Sequence, residues 1–389
     1  MVSANALIVH GGAPTAVINA SLYGAICEAK RHSEIKNFYA AVGGAGAIVR
    51  EELIDLFAVS GAELELLPFT PASAIGTSRD PLEGEDYDDI ARVLKKRDIR
   101  YVFFTGGNGS MDACGKVYHA CQRAGAEVCV VGIPKTIDND IAVTDHAPGF
   151  GSAARYLAAT VSEVSQDLRA LPIHVCVLEA MGRNAGWLAA ASALARSGSG
   201  DGPDLIYLPE RAFDERRFLD DVERMRGQKN GILVVASEGL RNADGEPIVE
   251  PVFQVGRAVY YGDVGSHLAN LIIRELGIKA RSEKPGICGR ASIAFQSRVD
   301  REEAILAGRE AVKAALRGET GVMVGFERMS GKEYCVRTCL IPVEQVMLAE
   351  RVLPETYINK AGNDVTDAFV DWCRPLLGGP LRSFAQLRG

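Results

Sequence analysis

The stretch IRYVFFTGGNGSMDACGKVYHACQRAG, residues 99–125, runs through three patterns in succession. An apolar run stops at two glycines, an asparagine and a third glycine, and apolar residues at helical spacing take over. Strand, glycine turn and helix make up the βα unit of a parallel sheet. A strand buried on both faces is apolar throughout rather than alternating. Such a turn aims backbone N–H groups at the space above it, and the helix N-terminus adds partial positive charge. Gly106, Gly107 and Gly109 would let an anion approach the main chain, with Ser110 capping the helix or donating a hydrogen bond. The same residues would also serve as a tight turn that holds no ligand.

The strand, turn and helix order recurs at ALIVHGGAPTAVINASLYGAICEAKRH, residues 6–32, and at IHVCVLEAMGRNAGWLAAASALARSG, residues 173–198. AEVCVVGIP (126–134), DLIYLP (204–209) and GILVVASEG (231–239) read as further strands, and the spacing predicts helices over 213–227, 256–276 and 300–317. Ligands of open α/β sheets sit beyond the carboxyl ends of the strands. The loops at 10–15, 106–110, 133–140, 180–185 and 237–240 are therefore expected to gather on one edge. Pro148, Gly149 and Gly151 mark a boundary near 146–156 without a linker, which predicts interleaved domains.

The 389 residues, 47% hydrophobic and 24% charged, suffice for a sizeable core and two domains or one large α/β unit. A net charge of -7 without a basic run argues against nucleic acid or an anionic membrane as partner. Nine cysteines without a C-x-x-C pair suggest neither a disulfide framework nor a zinc site, and fit a reducing cytosol. No targeting segment and no run long enough to span a membrane is visible, so a cytoplasmic protein is expected.

GIPKTIDND, residues 132–140, adds chemistry to the cradle. Asp138 and Asp140 stand either side of an amide, after Lys135 and Thr136, at the end of an expected strand. Carboxylates so spaced can divide labour, one accepting a proton from a hydroxyl and the other holding a Mg²⁺ that bridges phosphate oxygens. A solvated acidic turn is the plain alternative.

Together, GGNGS and PKTIDND resemble the hallmark loops of the phosphofructokinase family. The likeness continues through GGAPTAVINAS (11–21), GTSR (76–79), TDHAPGFGSAARY (144–156), EAMGRNAGW (179–187), SEG (237–239) and a basic element from Arg281 to Arg290. The final 70 or so residues add little. The resemblance implies an α/β fold of two interleaved Rossmann-like three-layer domains with mostly parallel sheets. Residues 1–149 plus about 289–337 would form the larger, donor-binding domain, and 150–288 plus about 338–389 the smaller, sugar-binding one. It implies transfer of a phosphoryl group to the 1-hydroxyl of fructose 6-phosphate, with Mg²⁺ as cofactor. Asp138 falls on the general base, with Thr136 beside it as a substrate hydrogen-bond donor. Asp140, assisted by Asn108, falls on the magnesium site. Arg79 and Arg183 match positions that stabilise charge on the phosphoryl group in flight. Gly12, Gly107, Asn108, Gly109, Ser110 and Lys135 fall on the donor site. Met181, Gly182 and Glu238 fall on sugar contacts, and Arg281 and Arg290 on a clamp for the acceptor's 6-phosphate. His174 and Arg281 match positions that a neighbouring subunit supplies, so a homodimer or homotetramer with shared sites is implied.

Several positions depart from the family pattern. Asn108 replaces a metal-assisting Asp while keeping an oxygen able to bind a metal-bound water. Ala13 replaces a glycine of the first loop. His174 and Ile287 stand where ATP-dependent bacterial members place Arg and His, which weakens the clamp and leaves another sugar or polyol open as acceptor. His174 also reads as a half-buried strand residue without a ligand. Pyrophosphate-dependent members carry Asp at the position of Gly109 and Lys at that of Lys135, whereas bacterial ATP-dependent members carry Gly at both. Gly109 leaves the space of an α-phosphate open and tips the expectation to ATP; the alternative is pyrophosphate. Lipid and NAD kinases share a related glycine loop without PKTIDND and MGRNAGW, and a silent sugar-phosphate sensor would be expected to lack Asp138.

Overall fold

A computed structural model describes residues 3–171, 174–196, 201–255, 258–331 and 333–385. Along the chain the strands are β1 (Ala4–His10), β2 (Ile35–Ala41), β3 (Leu53–Asp55), β4 (Ile99–Gly106), β5 (Cys129–Pro134), β6 (Val175–Ala180), β7 (Leu205–Tyr207), β8 (Ile232–Ser237), β9 (Pro251–Val255), β10 (Ala258–Tyr261), β11 (Ala280–Glu283), β12 (Val322–Arg328) and β13 (Val336–Pro342). They fall into two compact units. The first joins Met1–Ser152 to Arg290–Arg351, and the second joins Ala153–Gly289 to Val352–Gly389.

In the first unit the sheet order is β13-β12-β5-β4-β1-β2-β3. Its central pairs are parallel, and the outermost strands β13 and β3 run antiparallel. Neighbouring residues along the inner strands serve opposite faces. Leu7, Val102 and Phe104 pack under the helices Gly84–Lys96 and Asn108–Arg123. Ile8, Phe103 and Val131 face the helices Ile18–Ala29 and Arg298–Leu316. The result is a three-layer α/β unit whose strands are apolar on both sides, as their composition implies.

The second unit holds a parallel sheet of order β11-β6-β8-β7. Val175, Val177 and Val234 meet Phe218 and Leu268 in its core. This unit departs most from expectation. The region expected as one helix over 256–276 holds β10, which pairs antiparallel with the preceding β9, and its helix covers only Val264–Leu276. Residues 256–257 lie outside the described set. After β6 the long helix gives way to a five-residue helix, Trp187–Ala191, and a 3₁₀ turn. Trp187 instead packs against Tyr357, Phe369 and Trp372, with ring centroids 6.1, 6.4 and 4.9 Å away. The C-terminal segment thus completes the core of this unit.

The first crossing between units falls within the predicted 146–156 stretch. The last falls after Arg351 rather than near 337, because β13 pairs with β12 from Pro342 to Val336 and stays in the first sheet. The loops expected on one edge belong to two sheets, three to the first unit and two to the second. No helix among the described residues is long and apolar enough to cross a membrane.

Candidate active site

In the first unit β1, β4 and β5 are neighbours, so the loops that follow them meet at the carboxyl edge of one sheet. A cleft of about 530 Å³ opens there, lined by the 10–15 loop, Arg79, the turn from Gly107 to Ser110, the segment from Lys135 to Asp140, and Arg290. Gly107 is the N-cap of the helix Asn108–Arg123, and no side chain caps it. Its first N–H groups are left for an anion. Ser110 does not cap the helix. Its hydroxyl packs so closely under the strand ends that a Cβ added at Gly106 or Gly11 would lie 2.0 or 2.3 Å from Oγ. Gly106 is therefore required by packing rather than by a ligand. At Gly109 an added Cβ meets nothing within 4 Å, so the space beside that residue is open.

Lys135 is 3% exposed, and its ammonium donates to the Ala13 carbonyl at 2.6 Å. Among the described residues it forms no ion pair. Burial pulls its pKa down to about 8, Asp138 opposing the shift and Arg79 adding to it. A buried cation with this little compensation is a site for an incoming anion. His10 lies fully buried in the same wall, with Nδ1 2.8 Å from Ser73 Oγ. Burial first, then Lys135, lowers its pKa to about 3, so it is neutral.

Thr136 links the two aspartates: its hydroxyl donates to Asp140 Oδ1 at 3.1 Å and accepts from the backbone N–H of Asp138 at 3.0 Å. Its proton is engaged, so a bond from Thr136 to a substrate requires exchange of the bond to Asp140. Asn108 Nδ2 donates to Asp140 Oδ2 at 2.8 Å. That bond fixes the amide, and Asn108 Oδ1 is left buried without a hydrogen-bond partner. Burial raises the pKa of Asp140, against its own backbone N–H and the bonds from Thr136 and Asn108. An orphaned amide oxygen beside a carboxylate that is costly to ionise suits a hard cation. Mg²⁺ commonly takes one or two carboxylates and completes its shell with water and phosphate oxygens, so Asp140 and Asn108 fit it. Among the described residues no cluster of three acidic, His or Cys ligands occurs, which excludes there a cation caged by such side chains alone.

In the second unit the ends of β6 and β8 meet. The Glu238 N–H donates to the Ala180 carbonyl at 2.9 Å, the Gly182 N–H to Glu238 Oε1 at 3.3 Å, and Ser237 Oγ to the Gly182 carbonyl at 2.8 Å. Gly182 has a φ of +113°, and a Cβ on Gly239 would collide with the Arg183 carbonyl at 1.6 Å. Arg183 and Glu238 thus line one small crevice with Lys284 and Glu179. Burial raises the pKa of Glu238, against the pull of Arg183. Met181 opens the same loop and is half-buried.

His174 and Arg281 stand at the other end of this sheet. His174 is exposed and immediately precedes β6, and Arg281 pairs in register with Cys176. Arg281 is exposed and lies 3.5 Å from Glu283. Of the two arginines of the expected clamp, Arg290 lines the cleft of the first unit and Arg281 belongs to the second. Ile287, at the start of a short helix, is 65% exposed.

Asp300 is a site-supporting residue that sequence reasoning missed. Its carboxylate accepts from the N–H groups of Gly149 and Ser152 and from Ser152 Oγ, at 2.8, 2.9 and 2.5 Å, fixing the glycine turn of PGFGS. Burial, partly offset by these bonds, raises its pKa to about 6. The available signal was Ser297, three residues earlier, which caps the helix by accepting from the Asp300 N–H.

The family profile described as phosphofructokinase matches residues 5–315. A pyrophosphate–fructose 6-phosphate 1-phosphotransferase of Rhodospirillum rubrum is 37% identical over 398 residues, covering 100% of this chain and 98% of the relative. One from Xanthomonas campestris is 38% identical over 390 residues, covering 97% and 93%. The crystal structure of a pyrophosphate-dependent phosphofructokinase from Nitrosospira multiformis superposes with a TM-score of 0.90 at 34% identity, covering 98% of this chain and 94% of that one.

Proposed function

The chain belongs to the phosphofructokinase family of phosphotransferases, and we propose that it moves a phosphoryl group from pyrophosphate to the 1-hydroxyl of fructose 6-phosphate. Lys135 carries this reading: a wholly buried ammonium without an ion pair among the described residues, beside the Gly107–Ser110 turn, suits a compact polyanion. The relatives' names point the same way and away from the ATP expected from Gly109. The open space at Gly109 admits a nucleotide without making any contact that would select one.

In this reading Asp138 takes the proton of the attacking hydroxyl, oriented by the Thr136 bond to its N–H. Lys135 and the N–H groups at Gly107 and Gly109 hold the leaving phosphate, with Gly12 leaving its approach open. Arg79 and Arg183 offset charge on the group in flight. Mg²⁺, when bound at Asp140 and Asn108, supplies charge neutralisation on the phosphoryl oxygens. Glu238, Gly182 and Met181 receive the sugar, and Arg290 and Arg281 the 6-phosphate. The exposure of His174 and Arg281, away from the Glu238 crevice, favours their donation to a second copy in a homodimer or homotetramer. The composition suits a cytoplasmic setting. Initial rates with fructose 6-phosphate test the donor: pyrophosphate should exceed ATP by about two powers of ten in kcat/KM, equivalent to about 3 kcal/mol. Equal or inverted rates would remove the proposal.

A further inference from the structure

Arg351 closes the first unit and grips the backbone that carries the two carboxylates. Its Nε and Nη2 donate to the Asn139 carbonyl at 3.3 and 3.1 Å, and its Nη1 donates to the Thr144 and Asp145 carbonyls at 2.5 and 2.7 Å. Its own N–H donates to the Asp140 carbonyl at 2.8 Å, and Glu350 pairs with Ile141 in an antiparallel bridge. One residue thus holds carbonyls at both ends of the 139–145 segment. The segment is strained at two points, with φ of +54° at Asn139 and +70° at Val143. Asparagine tolerates the left-handed region, whereas a β-branched valine does so at a cost. Such backbone persists only where its surroundings over-determine it.

Asn139 is the residue between Asp138 and Asp140, so its left-handed turn sets the directions in which the two carboxylates leave the chain. The far end of the segment has further anchors: the Phe326 N–H donates to Thr144 Oγ1 at 2.9 Å, and Arg328 pairs with Asp145 at 3.0 Å. Arg351 joins the Asp138–Asp140 end to that anchored end. We propose that Arg351 is a positioning residue for phosphoryl transfer, its guanidinium fork fixing the left-handed turn that aims Asp138 and Asp140. This rests on the reading that those carboxylates serve the reaction. A planar fork of five donors suits several carbonyls at once, and a lysine ammonium does not reproduce it.

The test compares Arg351→Lys and Arg351→Ala with the wild-type enzyme, measuring thermal unfolding, kcat and both KM values. Slight misplacement of reacting groups is costly, so kcat of folded Arg351→Lys should fall about ten- to a hundredfold. Both KM values should stay within about twofold, the mark of lost alignment rather than lost binding. Millimolar guanidinium should restore part of the Arg351→Ala rate; if that variant does not fold, the lysine variant decides. A folded Arg351→Lys with wild-type kcat, or with a loss confined to KM, overturns the proposal. Asp138→Asn in the same series separates the two readings. If it stays active, the reading beneath the proposal falls; if it is inactive while Arg351→Lys is fully active, Arg351 alone loses its role.

Discussion

Asp138, Asp140 and Lys135 lie within six residues, yet the fold gives each a different charge problem. Asp138 has its N–H held by Thr136, and replacing it with Asn should lower kcat by about 10²–10⁴-fold with little change in substrate binding. A variant retaining over half of the wild-type kcat, taken as an order-of-magnitude criterion, would remove Asp138 from the mechanism. Asp140 is bound by Asn108 and Thr136, and Asp140→Ala should raise the Mg²⁺ concentration for half-maximal rate by about tenfold or more. An unchanged metal titration would count against its role. Lys135 has a pKa lowered to about 8, so its ammonium is lost as pH rises through that value. kcat/KM for pyrophosphate should therefore fall above pH 8, and Lys135→Met should flatten that limb of the profile. The linkage to stability has the opposite sense. Between about 8 and the ordinary lysine value the unfolded chain binds more protons, so this group's contribution rises with pH in the ligand-free protein.

The helices Ile18–Ala29 and Arg298–Leu316 cross at two glycines. A Cβ on Gly24 would lie 2.1 Å from the Ile305 carbonyl oxygen, and one on Gly308 would lie 2.0 Å from that of Ser21. Alanine is the better helix former by about 1 kcal/mol, but backbone oxygens cannot step aside. Gly308→Ala should therefore destabilise the protein by about 2 kcal/mol, measured by chemical denaturation, and a stabilised variant would refute the close crossing. Elements of this kind also mark the limit of what the sequence discloses. β1, β4, β6 and β8 were legible because each apolar run stops at its own glycine or small-residue turn. The β9–β10 hairpin was not, since VFQVGRAVYY also carries apolar residues at helical spacing. The return of the chain through Arg351 was not legible either, because its partners Asn139, Thr144 and Asp145 are distant in sequence. In the candidate site, the residues proposed to meet ligands lie in local motifs and could be named, whereas those whose hydrogen bonds hold the motifs, Asp300 and Arg351, could not.

For the whole molecule, His174 and Arg281 at the far end of the second sheet lead to a test of shared sites. If one copy supplies Asp138 and another Arg281, hybrids of Asp138→Asn with Arg281→Ala subunits carry one intact site beside one doubly damaged site. Co-expressed subunits should then exceed the activity of either parent, and a mixture no better than the sum of its parents would confine both residues to one chain. The reverse reaction tests the donor without any nucleotide. Transfer from pyrophosphate releases orthophosphate, so the reversed step must consume it. The enzyme should convert fructose 1,6-bisphosphate and labelled orthophosphate, with Mg²⁺ alone, into fructose 6-phosphate and labelled pyrophosphate. Formation of fructose 6-phosphate only when ADP is supplied, with no label entering pyrophosphate, would overturn pyrophosphate as the donor.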